Sequence, residues 1–213
     1  MRLFEAMQSD GLQPDKIAYN TVLNALRVAE KSDLAYELFL QMCDSKQPRS
    51  HPDIITVTNV IAALSTSEES RTKADRIFEY ALERGILLNH LDSVFEVDLS
   101  GMSFPVARAA CRYVVDRAVK AYTHDRSQLL DLSFITGVGA VACTSNRNSK
   151  RKLGNERKVG DADKQSKISL REYVQQVLRE DFDPPIESLV PKRAEGTVQI
   201  DRSVLDDYMK KRQ

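Results

Sequence analysis

The chain has 213 residues, 31 basic and 31 acidic side chains, no formal net charge and 42% apolar residues. That is enough for one large domain or two small ones, and it excludes a strongly basic overall field, so any nucleic-acid site has to be local. No apolar run approaches the roughly 18 residues a membrane span needs.

Met1-Arg2-Leu3-Phe4-Glu5-Ala6-Met7 already reads as an amphipathic helix rather than a basic leader, so the sequence is expected to begin inside a longer protein or to come from a truncated gene. Leu3-Phe4-Glu5-Ala6-Met7 recurs as Leu38-Phe39-Leu40-Gln41-Met42, 35 positions on. Pro14-Asp15 recurs as Pro52-Asp53 and Ala25-Leu26 as Ala63-Leu64, both 38 positions on, and Phe39 as Phe78, 39 on. Insertions at Asp44 to His51 and Ser65 to Thr72 account for the uneven spacing. Each unit reads as two helices. Ile17, Val22, Leu23 and Leu26 form one apolar stripe, and Leu34, Leu38, Phe39 and Met42 form the other. Asp15 and Asp53 stand where N-caps belong, Gly11 and Gly85 where helix ends want a left-handed residue. One hairpin cannot bury both stripes, so the units are expected to stack.

Ile17-Ala18-Tyr19-Asn20-Thr21-Val22-Leu23-Asn24-Ala25-Leu26, then Ala35 to Met42 and Pro52-Asp53, resemble the pentatricopeptide repeat family, whose repeat is about 35 residues. The resemblance covers residues 1 to about 89 as one repeat tail, one good repeat and one degenerate repeat. It implies binding of single-stranded RNA, one base per repeat. Carried over, the base-reading pairs are Asn20 with Asp53 and Thr58 with Asn89, and Ile17 and Ile55 are wedges between bases. An amide offers a donor and an acceptor, and a carboxylate only accepts; the family's usage then implies uracil for the first pair and adenine for the second. The residues alone leave a second reading open. Asn20 and Thr58 equally suit backbone groups near a helix start, Asp53 a cap, Ile17 and Ile55 a core. If they read bases, Asn20 and Thr58 face open solvent on one concave wall.

The architecture changes at Glu96-Val97-Asp98-Leu99-Ser100-Gly101-Met102-Ser103, a strand running into a glycine turn, with Ser103 set to cap the next helix. Val94 to Leu99 reads as a central strand. A helix follows to Tyr122 on Val106, Ala107, Ala110, Cys111, Val114, Val115, Ala118 and Val119, with Pro105 tolerated in its first turn. Leu130 to Ile135 is a second strand, and Thr136-Gly137-Val138-Gly139-Ala140 a turn. Ile168 to Leu178 is a helix that stops before Asp183-Pro184-Pro185. Thr197 to Ile200 is a third strand, and Leu205 to Lys211 a closing helix capped near Asp201 or Ser203. Alternating strands and helices predict a small open sheet.

Val97-Asp98-Leu99-Ser100-Gly101-Met102-Ser103 and Ile135-Thr136-Gly137-Val138-Gly139 resemble the two motifs of the Smr (small MutS-related) domain, from about 94 to 213. The resemblance implies an association with nuclease activity. The chain departs from that pattern at Ser100, where the family has His, and at Val141-Ala142, where it has His-Ser. Asp98 remains, but a serine is no base near neutral pH, so catalysis is disfavoured. Gly137 and Gly139 can turn backbone N–H groups toward a phosphate or simply make a tight turn. Lys150, Arg151 and Lys152 sit in a polar, basic tract over 144–167, read as a disordered insertion or as a tether for an RNA backbone. Cys43, Cys111 and Cys143 show no metal spacing and fit buried small hydrophobes in a reducing compartment; His51, His90 and His124 stand apart.

The expectation is therefore an α + α/β chain: pentatricopeptide-like α-hairpins over 1–92 and a small open-sheet, Smr-like α/β domain over 93–213. Its expected role is single-stranded RNA binding in organellar RNA metabolism, in a chloroplast or mitochondrion. Other organellar gene-expression proteins are the partners the resemblance implies, and no membrane is involved. The alternative is an endonuclease using Asp98 with Mg²⁺ or Mn²⁺; otherwise no cofactor or metal is expected. A third reading is a scaffold without nucleic acid, which requires an apolar, closed helical face.

Overall fold

The computed structural model describes residues 2–45, 47–65, 69–87, 95–122, 129–137 and 168–212. Over these the chain is mostly helical with one small mixed sheet, an α + α/β arrangement. Contacts divide it into two compact units: Met1–Val94 with Pro105–His124, and Phe95–Phe104 with Asp125–Gln213.

In the first unit, α1 (Arg2–Ser9) precedes two hairpins, α2 (Lys16–Val28) with α3 (Ser32–Asp44) and α4 (Ile54–Leu64) with α5 (Arg71–Glu83). Gly11 and Gly85 end α1 and α5 at φ +75° and +71°. The N–H groups one residue further on, of Leu12 and Ile86, return to the carbonyls of Met7 and Ala81. The end of α2 closes the same way through Lys31 N–H and Leu26 C=O, but there the left-handed residue is Glu30, at φ 54°. The buried stripes are Tyr19, Leu23 and Leu26 on α2 and Ala35, Leu38, Phe39 and Met42 on α3. Ile17 and Leu34 are not in them: Ile17 is 73% exposed and Leu34 39%. At roughly 100° per residue, Ile17 falls on the side of α2 opposite Tyr19, Leu23 and Leu26, so apolar character alone misassigns it. Helix α4 is buried along Val57, Val60, Ile61 and Leu64 and packs against α2, α3 and α5. The Ser50 hydroxyl donates to the Pro14 carbonyl at 2.7 Å and ties the segments that lead into α2 and α4.

Helix α6 (Phe104–Tyr122) belongs from Pro105 onward to this helical unit. The Arg112 guanidinium grips Asp75 of α5 at 2.6 and 3.0 Å, and Tyr113 packs against Phe78. The division at 92/93 read from the sequence instead groups this helix with the strands on either side of it. Its alternation between strands sets that reading, whereas Arg112 and Tyr113 find their partners on α5.

The second unit holds β1 (Glu96–Asp98), β2 (Leu132–Ile135) and β3 (Thr197–Ile200) in the order β1-β2-β3, with β1 parallel and β3 antiparallel to β2. Among the described residues β1 is therefore an edge strand, not the central strand expected; β2 is central. Its short, apolar pattern resembles a buried strand because Val97 and Leu99 point into the core while only Asp98 alternates outward between them. Helix α7 (Leu170–Glu180) packs on β3, and α8 (Arg202–Lys211) closes the unit. Ser169 caps α7 in a capping box with Glu172, and Asp201 caps α8 through Ser203 N–H. Phe104 stacks on Tyr173 with ring centroids 4.4 Å apart. Ser103 does not cap α6: its Oγ is buried without a hydrogen-bond partner. Pro105 removes one of the two N–H groups such a cap would use. No described helix is long and apolar enough to cross a membrane.

Candidate nucleic-acid interface

The N-terminal halves of α2 and α4 bring three polar side chains together, Asn20 from α2 with Asp53 and Thr56 from the start of α4. Asp53, in extended backbone, caps α4: its Oδ1 accepts the Thr56 N–H at 3.0 Å, and the Asp53 N–H donates to Thr56 Oγ1 at 3.1 Å. From α2, Asn20 Nδ2 donates to the same Oδ1 at 3.2 Å, and Thr56 Oγ1 lies 2.7 Å from Asn20 Oδ1. Lys16 Nζ stands 3.4 Å from Asp53 Oδ2. Partial burial pushes the Asp53 carboxyl up. The bonds from Thr56 and Asn20, with the Lys16 charge, outweigh that and hold it below its usual value. Asp53 is a charged acceptor and a helix cap at once.

Asn20 is half-buried rather than open to solvent, and so is Thr58, whose hydroxyl donates to the Ile54 carbonyl at 2.7 Å. In that geometry Thr58 keeps acceptor capacity only. Beside them Ile17 and Ile55 are 73% and 57% exposed, which places neither in the core. On α2 the outward face runs through Ile17, Thr21 and Asn24, with Asn20 on its margin. Asn89, the expected partner of Thr58, lies outside the described residues. The sequence reading missed Thr56 and Lys16. Thr56 stands three residues after Asp53, the spacing of a capping box, and that signal was available.

The sheet unit's motif residues make different bonds. Ser100 and Gly101 form a turn closed by Met102 N–H on the Leu99 carbonyl at 3.0 Å, with Gly101 at φ +78°. A Cβ at Gly101 would meet nothing within 4 Å, so the glycine answers to backbone conformation rather than to crowding. Asp98, half-buried, accepts the Ser100 N–H on Oδ1 at 2.8 Å. Thr136 is buried, and its N–H and hydroxyl both donate to the Gly196 carbonyl, at 2.7 and 2.9 Å. Gly137 follows at φ +76°. Gly139, Lys150, Arg151, Lys152 and the whole 144–167 insertion lie outside the described residues. Among the described residues no group of three His, Cys, Asp or Glu side chains is placed to hold a metal ion. Cys111 is buried, and burial pushes the half-buried Cys43 thiol up despite a hydrogen bond with Tyr80.

Compared with known protein families, with curated proteins and with solved structures, the chain matches none.

Proposed function

We propose that the chain binds single-stranded RNA through its two helical hairpins, which act as pentatricopeptide-type repeats, in organellar RNA metabolism. The Smr-like sheet unit serves as a noncatalytic companion that holds backbone or a partner protein. One observation carries the reading: the Asn20 amide is oriented by Asp53 and Thr56 at the edge of a face where Ile17 stands 73% exposed. After those bonds Asn20 keeps one N–H and one lone pair, and Asp53 keeps Oδ2 beside Lys16. A base edge that offers an N–H next to a carbonyl, as uracil does, fits those groups. An exposed aliphatic side chain one turn away supports a base face, and Lys16 a phosphate. Thr58, limited to accepting, fits a base with an amino group such as adenine.

Anisotropy of the full chain with labelled oligouridylate and oligocytidylate at low salt tests this. Asn20→Ala is expected to lower oligouridylate affinity on the order of tenfold and to remove the preference for it. Equal binding by wild type and N20A overturns the reading. Adding Mg²⁺ or Mn²⁺ to the same mixtures tests the nuclease alternative, because cleavage that disappears in Asp98→Asn replaces the noncatalytic role of the sheet unit.

A further inference from the structure

We propose that Thr56 is a positioning residue for base selection, its buried hydroxyl fixing the plane in which the Asn20 amide meets the nucleotide. This rests on the RNA reading above and names what sets its selectivity. Thr56 is fully buried, so its hydroxyl has no water to bond and must find protein partners. It has one proton and two acceptors in reach, Asn20 Oδ1 at 2.7 Å and Asp53 Oδ1 at 3.0 Å. Asp53 Oδ1 already accepts two N–H groups, from Thr56 at 3.0 Å and Asn20 at 3.2 Å, which fill its two in-plane lone pairs. The hydroxyl proton therefore goes to Asn20 Oδ1, and the Thr56 oxygen in turn accepts the Asp53 N–H at 3.1 Å.

The amide is thus held at two points. Asp53 decides which end faces it, since an amide turned end for end would set two oxygens against each other. That single bond still lets the amide pivot about its own axis. Thr56 removes the pivot and occupies one lone pair of Oδ1, leaving one acceptor and one donor in fixed directions. A base whose edge places donor and acceptor in the opposite order then meets like against like, and the hydrogen bonds it fails to make count against it. Thr56 touches no base itself. It acts through Asn20.

Thr56→Val keeps the shape and deletes the hydroxyl, while Thr56→Ser keeps the hydroxyl and deletes a methyl. In the full chain, the ratio of oligouridylate to oligocytidylate affinity is expected to fall from on the order of tenfold to about twofold in T56V and to recover in T56S. The two Asn20 side-chain amide proton resonances are expected to shift and broaden in T56V but not in T56S. A uniform loss of affinity for both oligonucleotides, with the ratio kept, means Thr56 only caps α4 and overturns the inference. A ratio unchanged in T56V overturns it too, with RNA binding still standing. Wild-type protein that binds neither oligonucleotide removes the RNA reading and this inference with it.

Discussion

The two units treat their motif residues in opposite ways. In the hairpins, Asn20, Asp53 and Thr56 come from two helices and meet through bonds that span 33 and 36 positions. Those bonds orient the side chains and leave unused one N–H and one lone pair of Asn20 and the Asp53 oxygen beside Lys16. In the sheet unit, Asp98 Oδ1 is taken by Ser100 two residues on, and the Thr136 hydroxyl by the Gly196 carbonyl. A polar residue in a motif is a candidate for recognition only to the extent that capacity remains after the backbone has been satisfied. The hairpin network meets that measure across two helices, whereas one lone pair of Asp98 Oδ1 and the hydroxyl proton of Thr136 are spent on backbone groups of their own unit.

The largest effect that separates the units comes from the core of the sheet. Phe134 is fully buried on the central strand, so Phe134→Ala is expected to cost about 3–5 kcal/mol and to disrupt the sheet unit. On the RNA reading, the preference for oligouridylate survives in F134A because no residue of the Asn20–Asp53–Thr56 network lies in that unit, even if overall affinity falls. Denaturant unfolding followed by the oligonucleotide affinity ratio measures both. Loss of selectivity in F134A would place base reading outside the hairpins.

Asp53 gives the next largest effect. Asp53→Ala removes a helix cap and the partner of Asn20, which is expected to cost about 1–2 kcal/mol near neutral pH. The Asp53 carboxyl sits below its ordinary value of 3.8 in the folded chain, so the ionised group stabilises the fold. That contribution is complete above the unfolded value and is lost as pH falls through the lower, folded one. The stability gap between wild type and D53A should therefore hold from neutral pH down to about pH 5 and narrow below the ordinary carboxylate value. Urea unfolding at a series of pH values measures the gap; a constant gap would mean that Asp53 caps α4 by shape alone.

Two left-handed positions, one in each unit, make a closer pair. Gly101 holds φ +78° with open space around it, so Gly101→Ala costs only the backbone term, about 1–2 kcal/mol. Glu30 holds φ 54° with a side chain, and Glu30→Gly is expected to gain up to about 1 kcal/mol. Thermal unfolding of both variants would show the opposite signs. A destabilised E30G would mean that the glutamate side chain stabilises the end of α2 by more than its backbone conformation costs.

Where the sequence was informative, local backbone chemistry was the reason. Pro-Asp before each α2-type helix, Gly11 and Gly85 at helix ends, and Thr197 to Ile200 as a strand follow from rules that act within a few residues, and they stand as expected. The misreadings share a cause of longer range. Ile17 looked like core because a stripe drawn from apolar residues does not know which side of α2 faces α4. Glu96 to Asp98 looked central because its neighbours in the sheet are set by residues 37 positions away. The bond between Asn20 and Asp53 joins residues 33 positions apart and carries no local signal. Thr56, whose hydroxyl completes that network, carries a capping-box spacing but no sign of its second partner, since nothing local announces that Asn20 will arrive from 36 residues upstream.

The smallest effect concerns two serines that read alike and sit differently. Ser103 and Ser169 each directly precede a helix and each suits an N-cap. Ser169 Oγ accepts the Glu172 N–H at 3.2 Å, and the Glu172 carboxylate returns to Ser169 N–H at 2.7 Å, so Ser169→Ala is expected to cost about 1 kcal/mol. Ser103 Oγ is buried and bonds nothing, so its hydroxyl carries a desolvation cost with no return. Ser103→Ala should then leave stability within about 0.5 kcal/mol of wild type or raise it slightly. Paired denaturant curves decide between the two sites. A clear loss in S103A would mean that the Ser103 hydroxyl finds a partner in solution, a bound water or a ligand at the turn, and would move the Leu99 to Met102 turn back among the candidates for recognition.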